Sequence, residues 1–254
     1  MIGTSGEAAQ LDWGEGCLTN LANYVPAAVK KAGRVGVVVK QCDMRAVQGL
    51  VQENQVRAED LVLVGAACAG VKDGEDIAAK CLNCDGTPHA LCDIVVDADG
   101  VRNVDRRAEA AAGRHSDPRD AQVAYLESLP AEVRWQYWQR QFARCLRCYA
   151  CRAACPLCYC GSCIVEKHRP QWISPAIEAG GNTAWNVIRA FHLAGRCTGC
   201  DECARACPSD IRLDLINHKL RLETERQFRA SGSDAQGKPV LVDFRMDDPE
   251  DFVL

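Results

Sequence analysis

The chain has 254 residues, a formal net charge of −4 and 17 cysteines. The acidic balance offers no field for nucleic acid. The longest apolar run, "LVLVGAACAGV" at Leu61–Val71, is too short for a transmembrane segment. The opening "MIGTSGEAAQ" has neither the basic start nor the apolar stretch of a signal peptide. A cytoplasmic protein is therefore expected, with thiols kept reduced. In that setting, clustered cysteines bind metal or carry redox chemistry.

Residues 1–32 form a mixed N-terminal segment. Residues 33–104 read as an α/β domain. "RVGVVVK" is a β-branched strand. "DMRAVQGLVQENQV" places Met44, Val47, Leu50 and Val51 at helical spacing. "DLVLVGAAC" is a second strand, so the three make a parallel βαβ unit, and "DIVVDAD" at Asp93–Asp99 is a further strand. Residues 105–144 read as a helical connector, with Pro130 in the first turn of a helix through "AEVRWQYWQRQFA". Trp135, Trp138 and Phe142 share one face of that helix and are expected to pack. "NTAWNVIRAFHLAG" reads as a helix capped by Asn182 and ended by Gly195. The last segment, 213–254, is a helix over Leu213–Phe228 and a tail. The tail "KPVLVDFRMDDPEDFVL" is either a solvated end or an arm that docks on a partner.

Between these helices, residues 145–212 carry a repeated cysteine pattern. Cys145, Cys148, Cys151 and Cys155-Pro156 spell C-x₂-C-x₂-C-x₃-C-P, and Cys197, Cys200, Cys203 and Cys207-Pro208 spell it again. This is the bacterial dicluster (2[4Fe–4S]) ferredoxin run, in which the Cys-Pro thiolate serves the other cluster. The expected ligand sets are therefore Cys145, Cys148, Cys151 and Cys207 for one 4Fe–4S cluster, and Cys197, Cys200, Cys203 and Cys155 for a second. Zinc sites use two separated C-x₂-C pairs and match this pattern poorly.

A second constellation lies in the α/β domain. Cys42 follows the first strand and Cys68 the second, at the carboxyl edge where open α/β sheets place ligands. Cys81 and Cys84 follow as a C-x₂-C pair. Four thiolates could converge there. Buried apolar cysteines and a thioredoxin-like redox pair are the alternatives.

The motifs "KQCDMRA", "VGAACAG" and "KCLNC…CDIVV" resemble the beta subunits of coenzyme F-420 (deazaflavin) hydrogenases and dehydrogenases. The two cysteine runs and the tryptophan-rich lead-in resemble a branch of that family with an added dicluster ferredoxin module. The resemblance covers roughly Arg34 to Lys219. It implies that Cys42, Cys68, Cys81 and Cys84 hold a third 4Fe–4S cluster, making 33–104 a cluster-binding domain. It also implies heterodisulfide reductase-like, hydrogenase or formate dehydrogenase partner subunits. Flavin-binding members carry a longer region ahead of the first cysteine turn, where this chain has "GEGCLTNLANY" and about forty residues before Cys42. FAD therefore belongs to the alternative reading.

Five cysteines remain. Cys158, Cys160 and Cys163 are spaced tightly enough for an extra site, or for a sulfur-rich wall that tunes an adjacent cluster. Cys17 and Cys92 read as buried apolar residues. His192, five residues before Cys197, is a candidate neighbour of the second cluster. Arg144, Arg147, Arg152, Arg196 and Arg205 crowd the runs, as a solvated face or as cations that raise cluster potentials. No nucleophile–base–acid constellation and no G-x-G-x-x-G fingerprint is present. The expectation is a non-catalytic electron-transfer subunit of a cytoplasmic oxidoreductase complex, passing electrons through three 4Fe–4S clusters. The alternatives are a catalytic flavoprotein subunit that oxidises a reduced deazaflavin or nicotinamide, and a zinc-stabilised assembly module.

Overall fold

The computed structural model describes residues 4–82, 84, 92–97, 100–103, 117–229, 240 and 244–249. The chain forms two compact units, Met1–Pro118 and Arg119–Leu254.

In the first unit, α1 (Ser5–Ala8) and α2 (Val25–Ala32) precede strand β1 (Val35–Val39). Helix α3 (Gln41–Gln52) returns the chain to β2 (Leu61–Ala66). The short strands β3 (Lys72–Asp73) and β4 (Asp76–Ile77) form a hairpin outside the main sheet. Its turn uses Gly74 at φ +70°, a left-handed conformation that costs glycine nothing. Strand β5 (Ile94–Asp97) and strand β6 (Gly100–Asn103) complete a sheet of order β1-β2-β5-β6. β1, β2 and β5 are parallel, and β6 turns back antiparallel on β5. The parallel βαβ unit lies on the residues read from the sequence. The β3–β4 hairpin, with strands of two residues each, and β6, of four, were not anticipated.

Met44, Val47 and Leu50 of α3 are buried together with Val39, Leu61, Leu63 and Val95 of the sheet. That burial is the main reason the helix forms where it does. Its start is fixed by Asp43, whose carboxylate accepts from the Lys40 and Leu21 backbone N–H groups and pairs with the Lys40 ammonium at 2.8 Å. Both side chains are buried, so removing either one would leave the other as an uncompensated charge.

The second unit is helical. α4 (Arg119–Ser128) and α5 (Ala131–Ala143) lead into the first cysteine run, which contains the one-turn helix α6 (Ala150–Ala153). α7 (Ala179–His192) separates it from the second run, whose one-turn helix is α8 (Glu202–Arg205), and α9 (Leu213–Phe228) follows. Pro130 stands as the N-cap of α5, one position ahead of the first turn. Phe142 is buried and stacks on Trp138 at 5.7 Å. Trp135 is 44% exposed, so the packed face is narrower than the spacing implied. The expected cap of α7 is corrected: Glu178 caps it, accepting from Gly180 and Gly181 N–H. Asn182 lies inside the helix, buried, with other work to do.

Phe142, Trp185, Ile173, Val165, Ile211 and Leu213 form the core of this unit, and Cys145, Cys151 and Cys203 belong to the same cluster. Most of the tail lies outside the described residues, so neither reading of it is decided. Of the described part, Val240 sits against Gly195, where an added Cβ would meet Val240 Cγ2 at 2.6 Å. Among the described residues no helix is long and apolar enough to cross a membrane.

Candidate metal centres

The sequence repeat is also a backbone repeat. Each run places the residue before its second cysteine in the left-handed region, Arg147 at φ +55° and Gly199 at φ +71°. Each places the residue after that cysteine there too, Tyr149 at φ +59° and Asp201 at φ +60°. A one-turn helix then carries the third cysteine, Cys151 in α6 and Cys203 in α8, and these two helices pack on each other. Left-handed backbone costs a non-glycine residue roughly 1–2 kcal/mol. At Arg147 this is offset by a buried guanidinium that donates to Gly181 O at 2.7 Å and Ser174 O at 2.6 Å and lies over the Tyr149 and Trp185 rings.

The Cys-Pro thiol of each run is a neighbour of the other run's cysteines. Cys151 interacts with Cys145, Cys207 and Cys148, and burial followed by these thiols raises its pKa, with Arg189 opposing. Cys203 is pushed up to about 12, first by burial and then by Cys155 and Cys197, against Arg189. Cys200 is held well above the thiol range by burial and by Cys155, Cys197 and Cys203. Cys155, Cys197, Cys200 and Cys203 line one pocket with Leu193 and Asn217. Backbone N–H groups are aimed at the sulfurs: Gly199 at Cys197, Glu202 at Cys200 and Leu157 at Cys155.

The neighbouring helices lock the runs. Asn182 of α7 donates to Cys145 O at 2.9 Å, and Arg189 of α7 donates to Cys151 O at 2.9 Å. Asn217 of α9 donates to Cys203 Sγ at 3.5 Å. Behind the second run, Arg119 pairs with Asp201, and His218 with Asp120 at 2.7 Å. Among the described residues, no three His, Cys, Asp or Glu side chains stand at single-ion distance. The thiols of Cys155, Cys197, Cys200 and Cys203 line a cavity and do not close on a point. Such an array, with N–H donors directed at sulfur, fits a 4Fe–4S cube, which presents four separate irons to four thiolates.

Arg189 was not singled out by the sequence, because it sits mid-helix away from both runs. It is 4% exposed. Burial works against its charge, but Cys203, Cys155, Cys158 and Cys151 outweigh this and hold its pKa above the ordinary value. The arginines chosen for proximity in sequence also have carboxylate or carbonyl partners. Arg152 pairs with Glu166 and Arg205 with Glu202. Arg196 donates to Leu157 O, and Arg144 to Asp210 O. His192 is exposed, and its carbonyl accepts from Arg196.

Cys158 lies beside Cys155. It hydrogen-bonds Cys155, which lowers its own pKa and raises that of Cys155. Cys160 is exposed and Cys163 half-buried, so the three do not form one buried group. Cys163 N–H donates to Glu166 at 2.7 Å.

In the first unit, Cys42 and Cys68 stand just past the carboxyl ends of β1 and β2. Cys42 is pushed up to about 12, chiefly by burial and then Asp43, with Cys81 also among its neighbours. The Cys84 thiol donates to Gln41 Oε1 at 2.8 Å, next to Cys42 in the chain. The loop after Cys68 runs against Cys81: a Cβ at Gly70, where φ is +110°, would lie 3.6 Å from Cys81 Cβ. Cys42 and Cys81 are thus neighbours past the end of β1, and Cys84 stands beside Gln41 there. Cys92 is buried against Met44 Sδ at 3.8 Å. Cys17 is half-buried and held within its own loop, accepting from Gly14 N–H.

These features define the class, an iron–sulfur protein: residues 144–212 match the family described as 4Fe-4S dicluster domain. The chain is also similar to the F420-dependent formate dehydrogenase subunit beta of Methanocaldococcus jannaschii, 37% identical over 103 residues, 38% of this chain and 24% of the relative. It is 29% identical over 145 residues to the F420-dependent formate dehydrogenase 1 subunit beta of Methanococcus maripaludis, 57% of this chain and 36% of the relative. The matches therefore span about a quarter and about a third of the relatives' lengths. They bear out the resemblance to F420-linked beta subunits with an iron–sulfur module.

Proposed function

We propose that the protein is an iron–sulfur electron-transfer subunit of a multisubunit, F420-linked oxidoreductase of the formate dehydrogenase type. The observation that carries this reading is the crossing of the thiols, Cys207 beside Cys151 and Cys155 among Cys197, Cys200 and Cys203. Cys145, Cys148, Cys151 and Cys207 would hold one 4Fe–4S cluster. Cys197, Cys200, Cys203 and Cys155 would hold the second, in a bacterial-type dicluster module at 145–212. Cys42, Cys68, Cys81 and Cys84 would hold a third in the α/β domain. A bound 4Fe–4S cluster supplies a one-electron redox couple.

The rest of the work belongs to the protein. Trp185, Phe142 and Ile173 exclude water from the first run. Asn182 and Arg189 fix its backbone. The N–H groups of Gly199, Glu202 and Leu157 stabilise negative charge on sulfur. Cys148 and Leu146 are exposed, so the first run presents the open end at which a partner subunit would receive or deliver electrons.

The test is iron and acid-labile sulfide in anaerobically prepared protein. About twelve of each per chain, three cubes of four, is the expected result. About eight removes the site in the first unit, and about sixteen gives Cys158, Cys160 and Cys163 a site of their own.

A further inference from the structure

Resting on that reading, we infer that Arg189 is a shared electrostatic positioning residue for the two ferredoxin-type sites, a fixed buried cation that raises both reduction potentials together. Three observations carry it. The first is place. Arg189 projects from α7, the helix between the two runs. Its four thiol neighbours, strongest first, are Cys203, Cys155, Cys158 and Cys151. Cys203 and Cys155 belong to the second ligand set and Cys151 to the first, so one guanidinium faces both.

The second is burial without satisfaction. Arg189 is 4% exposed. Its Nη2 donates to Cys151 O at 2.9 Å, while its Nε is buried with no hydrogen-bond partner. A buried charge without a counter-charge is strongly unfavourable. Among the described residues, those four thiols are acidic groups beside Arg189, so its charge is balanced when they are ionised and bound. The third is permanence. A guanidinium does not lose its proton in proteins, so the field is the same at every working pH.

Adding an electron to either cluster adds negative charge near this cation. Arg189 therefore favours the reduced form of both. Two of its thiol neighbours, Cys203 and Cys155, belong to the second ligand set and one, Cys151, to the first, so the effect is larger on the second cluster. Since both potentials move with one group, the protein can be set on the redox scale with a smaller effect on the step between its clusters.

The experiment is an EPR-monitored redox titration of wild type, Arg189→Met, Arg189→Gln and Arg189→Lys, each with its iron counted. Two 4Fe–4S signals in the wild type are required by the functional reading, and their absence refutes that reading, whatever Arg189 does. Given two signals, both neutral variants should lower both potentials. The second cluster's reduced-to-oxidised ratio at fixed potential should fall about tenfold, equal to about 59 mV for one electron, and the first cluster's should fall less. Arg189→Lys, which keeps the charge, should restore both to within about threefold. Neutral variants that load no iron beside a loaded Arg189→Lys also support the inference, because charge is then what the site requires. The inference is overturned if the potentials stay put, if one cluster alone moves, or if the lysine variant falls or empties like the neutral ones.

Discussion

Replacing Cys207 by serine tests the crossing of the thiols directly. The side chain belongs to the second run in sequence, yet its thiol neighbour is Cys151 of the first. Serine is a harder donor and a poorer ligand for iron of a thiolate-bound cluster. The variant should therefore lose up to about one iron in eight of the ferredoxin-type complement and alter one of its two paramagnetic signals, about half of the intensity. Cys155→Ser should alter the other signal, because Cys155 stands with Cys197, Cys200 and Cys203. Its effect should be milder, since Cys158 already hydrogen-bonds Cys155 and offers a second thiol at that corner. Cys155→Ser with Cys158→Ser should then equal Cys207→Ser in severity. The assay is EPR of the dithionite-reduced protein, with Cys148→Ser and Cys200→Ser as references for the two signals. If Cys207→Ser reproduces the Cys200→Ser spectrum, each run closes its own cluster and the crossed assignment is wrong.

Two stability predictions accompany it. Trp185→Ala removes a side chain that is 2% exposed and meets Tyr149 edge-on at 5.1 Å; the loss should be about 3–5 kcal/mol, read from denaturant unfolding, and a loss below about 1 kcal/mol would mean that the ring is not part of the core. Glu223 is held at about 2 by Lys219, with Arg226 and Gln227 assisting; its folded pKa is below its ordinary value of 4.5, so its stabilisation is present above that value and lost as pH falls toward about 2. Glu223→Gln should thus cost about 1 kcal/mol near neutrality and nothing at ~pH 2, and an equal cost at both, measured by urea midpoints, would refute the ion-pair origin.

The parallel βαβ unit was legible because β-branched runs and the period of α3 announce it. Helix α9 was legible to the residue. The dicluster module was legible from spacing, since a C-x₂-C-x₂-C-x₃-C-P run admits few geometries, and residues 144–212 match that domain. What was hidden depends on contacts between distant positions. Arg189 carries no local signal: only the packing of α7 brings it to Cys151 and Cys203. The capping role passed from Asn182 to Glu178 because Asn182 is used on Cys145 O, 37 residues away. The arginines beside the cysteines in sequence are used on nearby carboxylates and carbonyls, as neighbours along a loop point to different sides of it. The left-handed residues were half visible. Gly199 suggests its own conformation, whereas Arg147 in the equivalent place gives no such sign.

If Cys155 and Cys207 are crossed as proposed, the arrangement has a consequence for the protein's synthesis. The first run leaves the ribosome with three thiols and waits for a fourth that lies 62 residues beyond Cys145. The second run emerges next to a Cys155 already made, so its own ligand set closes when Cys203 appears. The earlier run is therefore the later one to be completed, and until Cys207 is translated its thiols are exposed to oxygen and to stray metal. A nascent chain halted before Cys207 would carry one finished site and one open trap.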